Sequence, residues 1–205
     1  MTALIDIVSV YHRDENYALA LDLAEQIERY EDLIPWHFIG VDNRQINRGF
    51  AKGCNLGASQ GKAPVIGFLN PDVEVQGPFM AKVLDALSGA SGTVITGERF
   101  GKRAGEFERI WGCKDWVCGA ALFVRRDFFE SFHGFDEQFV WGWEETDLIR
   151  RAQAHMPNRR STRSISLPLK HESPSDNRPE DVAYKIKWFN KGAARFQQKW
   201  GRSVR

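Results

Sequence analysis

A cluster of acids and one histidine carries most of the chemistry this sequence could perform. Asp72 follows an apolar run in "VIGFLNPDVEV", residues 65–75, where a strand fit for a protein core ends abruptly in Asn70-Pro71-Asp72. A carboxylate at the edge of a dry strand is costly unless something compensates it. Hard oxygen donors of this kind suit Mg²⁺ or Mn²⁺, which commonly share their coordination with substrate phosphates. Pro71 stiffens the turn, and an Asx turn or a strand cap is the competing reading of Asp72. Further along, "WGWEETDLIRR" places Glu144, Glu145 and Asp147 together at the start of a helical stretch. On a helix Glu144 and Asp147 share a face and Glu145 points away from them. One of these acids can serve as a general base toward a hydroxyl, while the others cap the helix or pair with Arg150 and Arg151. Trp141 and Trp143 stand beside the acids, and aromatic faces stack on the apolar faces of sugars. Trp116 precedes the small-residue strand start "VCGAAL", whose Gly119 joins Trp141 and Trp143 as a candidate acceptor contact.

Two further stretches supply polar groups at strand ends. "VDN", Val41 to Asn43, follows a second apolar run, and "NRGFAKGCNLG", Asn47 to Gly57, offers glycines for close backbone approach. The amides of Asn47 and Asn55 can hydrogen-bond a ring or a hydroxyl, although plain loop chemistry explains them equally. His171, in "LKHESPSDN", falls directly after the last strand expected, and the run Ser173 to Asn177 has turn composition suited to a lid or to an ordinary surface loop.

The elements that must position these groups alternate in type. "LIDIVSV" reads as a buried strand, and the helix after it carries Leu19, Leu23, Ile27 and Tyr30 on one face. "WHFIGV" and "VIGFL" are strands, "FMAKVLDAL" is an amphipathic helix, and "GFAKGCNLGASQ" is a helix weakened by three glycines. Such alternation argues for an α/β fold, a mostly parallel sheet covered on both faces, with ligands beyond the carboxyl ends of the strands. From about residue 92 the rhythm becomes mixed. "GTVITGERF" and "CGAALFVRR" read as strands around a polar stretch at 101–109, "DFFESF" and "EETDLIRRAQAH" as helices, and "SISLPL" as one more strand. Pro179 to Trp200 reads as a basic amphipathic helix. Ile186, Phe189, Phe196 and Trp200 pack, while Lys185, Lys187, Lys191, Arg195 and Lys199 stay in solvent, either as a plain docking helix or as a contact for lipid-linked acceptors or nucleic acid.

The 205 residues suit one domain, an α/β half at 1–91 followed by a mixed half at 92–205. Twenty-eight Lys and Arg against 27 Asp and Glu leave no overall field to draw the chain onto nucleic acid or an anionic membrane. No apolar run is long enough to span a bilayer, and "MTALIDIVSV" lacks a signal-peptide pattern, so a cytoplasmic location is expected. Cys54, Cys113 and Cys118 match no zinc pattern and read as reduced thiols.

Taken in order, "VDN", "NRGFAKGCNLGASQGKAPVIGFLNPDVEV" and "GFDEQFVWGWEETDLIRR" resemble the successive blocks of family 2 glycosyltransferases with the GT-A fold, rhamnosyltransferase-like members above all. The resemblance covers about residues 4–155 and resumes at "HES" and "KWG". It implies a nucleotide-diphosphate sugar donor bound by the half at 1–91, with 92–205 as the acceptor and catalytic half; Val10, Tyr11, His12 and Asp42 would lie on the donor's base and ribose, with Asn47, Gly49, Asn55 and Asn70 among its contacts. In such enzymes the metal motif is usually Asp-x-Asp. Here it is "NPD", so Asp72 would hold the Mn²⁺ or Mg²⁺ and Asn70 would at most assist. The family places the base of an inverting transfer at the second acid of an "ED" pair, which here is Glu145, with Glu144 second. The resemblance also implies that His171 completes the metal site or touches the diphosphate. "WGWEE" is similar to the "WGWGGED" block of galactosyltransferases, in which the Trp helps bind the acceptor; of the two tryptophans, Trp143 is the expected platform. The acceptor is left open among a saccharide, a protein, a lipid-linked sugar and a modified nucleobase, and so short a chain implies help from a partner or a homodimer.

Two other functions compete. A sugar nucleotidyltransferase should carry a Gly-rich, basic loop after its first strand, and "SVYHRDENY" has no glycine. A sugar- or nucleotide-binding module that has lost turnover is favoured by the departures "NPD" and "EE".

Overall fold

The computed structural model describes residues 2–88, 94–96, 119–155, 162–171 and 179–201. Strand β1 (Ile5–Tyr11) leads into helix α1 (Asp14–Tyr30), and β2 (Trp36–Asp42) into α2 (Phe50–Gln60). Then come β3 (Val65–Leu69), the short β4 (Val73–Val75), α3 (Met80–Ser88) and β5 (Val94–Thr96). The second half adds β6 (Ala121–Arg125), α4 (Arg126–Ser131), α5 (Glu144–His155), β7 (Thr162–Ser164), β8 (Leu169–His171) and α6 (Pro179–Trp200). The polar stretch at 101–109, Trp116, Cys113, Cys118 and the run 173–177 lie outside the described residues.

Six strands form one sheet in the order β2-β1-β3-β6-β5-β7. β1 lies parallel to both β2 and β3, and β5 is parallel to β7; β6 runs antiparallel between β3 and β5. The expected mostly parallel sheet is therefore present, with one reversed strand.

Strand alternation sends side chains to two cores. Ile5, Ile7, Val65, Leu69 and Phe123 pack with Leu23 and Ile27 of α1 and with Met80 and Val83 of α3. Val8, Val10, Ile66, Phe68, Leu122 and Val124 point the other way, onto Ala51 and Cys54 of α2, Phe128 and Phe129 of α4 and Leu148 of α5. A sheet covered on both faces buries its central strands throughout, which is why β3 reads as a continuous apolar run and why even Asp6 and Ser9 of β1 are buried. The glycines of α2 cost helix propensity but permit close packing on β1. A Cβ at Gly53 would lie 2.7 Å from Val10 Cγ1, and one at Gly57 2.4 Å from Val8 Cγ1.

"SISLPL" does not form one strand. Ser164 ends β7 in the main sheet, whereas Leu169 opens β8, which pairs antiparallel with β4 in a separate two-stranded sheet. Pro168, which has no N–H to give a ladder, sits at the break and accepts a hydrogen bond from Gln76 N at 2.8 Å.

Glu31, 7% exposed, joins α1 to α3. Its Oε1 accepts from Phe79 N at 2.5 Å and from Met80 N at 2.8 Å, satisfying amides that the start of α3 leaves without helical partners. Glu31→Ala strands both donors and is expected to cost about 1–3 kcal/mol in urea unfolding.

Candidate functional site

The site lies where the carboxyl ends of β1 and β3 meet the loops that follow them. One pocket there is lined by Val10, His12, Asn16, Asn43, Asn47, Gly49, Phe50, Asn70, Pro71, Asp72, Val140, Trp141, Tyr184 and Lys185. Asn43 knits its rim: its backbone N–H donates to Tyr11 O at 2.8 Å and its side-chain amide to Gly49 O at 3.2 Å. Gly49 has φ +84°, and a Cβ there would meet Val140 O at 2.8 Å, so glycine is required on both counts. Phe50 N donates to the same Val140 carbonyl at 2.9 Å, which fixes the loop after β2 against the segment that leads into the acids.

Asp72 and His171 are neighbours. The antiparallel pairing of β4 with β8 sets Val73 opposite His171, and His171 Nε2 lies 3.1 Å from Asp72 Oδ1. A carboxylate and an imidazole side by side match the mixed oxygen and nitrogen donors that Mn²⁺ accepts. Among the described residues no group of three or more His, Cys, Asp or Glu is placed to hold a metal, so a cation here would draw the rest of its coordination from ligand oxygens and water.

Glu144 and Glu145 open α5 at 4% and 6% exposure. The turn before them holds Gly142 at φ +74° and Trp143 at φ +77°. A left-handed conformation at a residue as bulky as Trp costs backbone energy, and such strain concentrates at functional sites. The two carboxyl groups hydrogen-bond each other, and among the described residues Oε2 of each has no hydrogen-bond partner. Burial pushes the Glu145 carboxyl up to about 7. Burial, then the neighbouring Glu145 charge, also drives Glu144 well above the usual carboxylate range. Cys54 lies close enough to feel both, and burial followed by the two glutamates raises its thiol.

These acids share the sheet end with Asp72. Leu69 pairs with Ala121 across β3 and β6, and Asn70 N donates to Ala120 O at 2.9 Å. Gly119 comes just before, and a Cβ on it would stand 3.4 Å from Glu145 Cδ. The turn carrying Asn70 and Asp72 and the strand start facing Glu145 are therefore hydrogen-bonded neighbours.

Asp147, fully buried, serves as an anchor. It accepts from Arg151 Nε at 2.8 Å, Lys199 Nζ at 2.8 Å and Trp200 Nε1 at 2.9 Å. Asp136 accepts from Arg195 and Lys199, both at 2.9 Å; burial raises its carboxyl, but these two cations outweigh that and bring it down to about 2. Arg195 and Lys199 thus hold α6 down by ion pairs, against the expectation that both stay in solvent. Ile186, expected to pack, is 56% exposed. Asp147→Ala would leave Arg151 without its buried counter-charge, while Lys199 keeps Asp136, and a loss of about 3 kcal/mol is expected in denaturant unfolding.

The structure places several of the sequence-based candidates outside the pocket lining. Trp143 offers no stacking face: it is 6% exposed, donates from Nε1 to Phe189 O at 3.2 Å and packs on Phe196. Trp141, half-buried, is the tryptophan that faces the pocket. Asn55 is a clasp, donating to Phe135 O and accepting from Phe135 N, each at 2.9 Å. Asp42 is exposed and held by a fork of hydrogen bonds from Arg44, whose guanidinium also lies over the rings of Tyr17 and Tyr11. Tyr11 is buried beneath them and is absent from the pocket lining, unlike Val10 and His12. Sequence reasoning missed Asn16, Tyr184 and Lys185 in the lining, and nothing in their local spacing marks them.

Comparison with known proteins places the fold. No family model matches the chain, and no curated protein matches it. Among solved structures, a mannosyltransferase from Pyrobaculum calidifontis in complex with GDP-Man and Mn²⁺ superposes with a TM-score of 0.63 at 13% identity, over 95% of this chain and 65% of that one. Glucosyl-3-phosphoglycerate synthase from Mycobacterium tuberculosis, with Mn²⁺, UDP and glucosyl-3-phosphoglycerate, gives 0.67 at 12% identity, over 97% and 80%. A Drosophila β-galactosyltransferase 7 variant with manganese, UDP-Gal and xylobiose gives 0.53 at 17%, over 80% and 64%. The chain spans about two thirds of the first and last of these. The fold is that of the GT-A glycosyltransferases, and among the described residues no helix is long and apolar enough to cross a membrane.

Proposed function

We propose that this chain is an inverting, metal-dependent glycosyltransferase that moves a sugar from a nucleotide-diphosphate donor to an acceptor hydroxyl. The observation that supports the reading is the hydrogen bond from Asn70 N to Ala120 O, which sets the turn bearing the Asp72–His171 pair beside the strand start that faces the buried Glu145. The donor lies in the pocket between Val10, His12, Asn47, Gly49 and Asn70, and the acceptor approaches Trp141, Gly119 and Glu145. A Mn²⁺ or Mg²⁺ ion held by Asp72 and His171 would offset diphosphate charge. Glu145, with a carboxyl poised near neutral pH, takes the proton of the acceptor hydroxyl as that oxygen attacks the anomeric carbon. The nucleoside diphosphate leaves from the opposite face with the electrons of the broken bond, so the configuration inverts. Glu144 holds Glu145 through their shared hydrogen bond.

A panel of sugar nucleotides and nucleoside diphosphates, tested by thermal shift with and without Mn²⁺, checks the donor half. One donor should stabilise the protein by about 2.7 kcal/mol at a hundredfold excess over Kd, in the presence of metal. Stabilisation by a donor with no turnover toward any acceptor, nor slow hydrolysis, would favour a binding module instead. No response to any member of the panel would overturn the donor site itself.

A further inference from the structure

The last helix reaches into the pocket. Its C-terminal half is fixed: Asp136 and Asp147 bind Arg195, Lys199 and Trp200, and Gly192 lets it lie on the catalytic turn, where a Cβ would come within 2.7 Å of Trp143 Cδ1. Its N-terminal half extends over the donor cavity, where Tyr184 hydrogen-bonds the Asn47 side chain and Lys185 joins the lining. Lys185 Nζ lies 5.5 Å from the centroid of Trp141, so its stem and head are directed along the pocket wall. Among the described lining residues Lys185 is the one side chain with a permanent positive charge, and Asp72 is the one carboxylate.

We infer that Lys185 is the protein's own cation for the donor diphosphate, delivered by α6 and aimed by its contact with Trp141; this rests on the donor-site reading above. The charge balance calls for such a group. A departing nucleoside diphosphate carries one more negative charge than it did as the sugar ester, and the "NPD" turn contributes a single acid to the site. A cation on a helix already clamped at its far end needs little reorganisation as that charge develops, which is the condition under which a fixed charge contributes most. The same geometry ties the donor pocket to the acids, because α6 grips both the turn before Glu144 and the first turn of α5.

The test measures binding of GDP and UDP, each with Mn²⁺, by calorimetry for the wild type, Lys185→Met and Lys185→Arg. Loss of one charge-assisted contact should weaken the bound diphosphate about 10–100-fold in the Met variant. Arg should restore most of it, and the unliganded melting temperature should stay unchanged in both. The Met variant should also lose part of the salt dependence of binding. If the wild type binds a diphosphate and Lys185→Met binds it within twofold, the assignment falls while the donor site stands. If Met and Arg weaken binding alike, Lys185 acts by packing and the assignment again falls. If the wild type binds neither nucleotide, the donor site falls and takes this inference with it.

Discussion

Glu145→Gln is expected to abolish nearly all sugar transfer while making the protein more stable at alkaline pH. General-base catalysis contributes about 10²–10⁴-fold, and an amide cannot accept the hydroxyl proton, so kcat should fall by that factor with donor affinity intact. The stability effect follows from burial. Folding lifts the Glu145 carboxyl from the ordinary 4.5 to about 7, chiefly by desolvation. Between those pH values the folded protein keeps a proton that the unfolded chain has released, so wild-type stability declines as pH rises through that window and then levels off. Gln removes the decline. Above pH 7 the variant should gain roughly 1–3 kcal/mol over wild type, with the lower end set by how well the new amide finds partners. At pH 4.5, where the folded acid is neutral and the unfolded one only half ionised, the two proteins should melt within a few degrees of each other. Wild-type kcat/KM should drop tenfold per pH unit below about 7 and flatten above it. Equal destabilisation of the variant at pH 4.5 and pH 8, with a flat wild-type rate profile, would show that Glu145 is a packing residue.

How much of this arrangement the sequence discloses depends on the range of the interaction concerned. Local periodicity finds β1, α1, β3, α5 and α6, because each buries a continuous face or stripe. "NPD" and "EE" are visible because charge at the end of an apolar run or at a helix start stands out. The pairing of Asp72 with His171 spans 99 residues, and only the β4–β8 register explains it. "SISLPL" misleads because it crosses from one sheet to the other, Ser164 ending β7 and Leu169 opening β8. Trp143 misleads for another reason: its neighbours Phe189, Gly192 and Phe196 come from a helix some fifty residues later, and no local pattern reveals that they bury it. Asn55 and Lys185 exchange expected roles on similar grounds. A polar side chain on a helix faces a pocket, a loop backbone or water according to how the helix docks, and docking is a tertiary fact.

Asp72→Ala should remove metal-dependent donor binding without unfolding the protein. The acid sits at the tip of the small sheet, where Val73, Val75 and Leu169 are buried and keep β4 and β8 paired whatever occupies position 72. Stability in the absence of ligand should therefore change by less than about 1 kcal/mol. Metal affinity has no such support. With the carboxylate and the imidazole proposed above as the protein donors, deleting either would remove half of the protein's share, and even outer groups that merely orient ligands account for about 10–100-fold in affinity. A loss at least that large is expected for Asp72→Ala and for His171→Ala, read from the Mn²⁺ electron paramagnetic resonance signal in the presence of nucleoside diphosphate. Asn70→Asp tests the same geometry from the opposite direction. A second carboxylate in the turn should tighten Mn²⁺ binding if Asn70 and Asp72 face one ion, and the added negative charge should then raise the dependence of donor binding on metal. If Asp72→Ala binds Mn²⁺ and diphosphate as wild type does, the cation site lies elsewhere and the pairing with His171 serves only to close the small sheet.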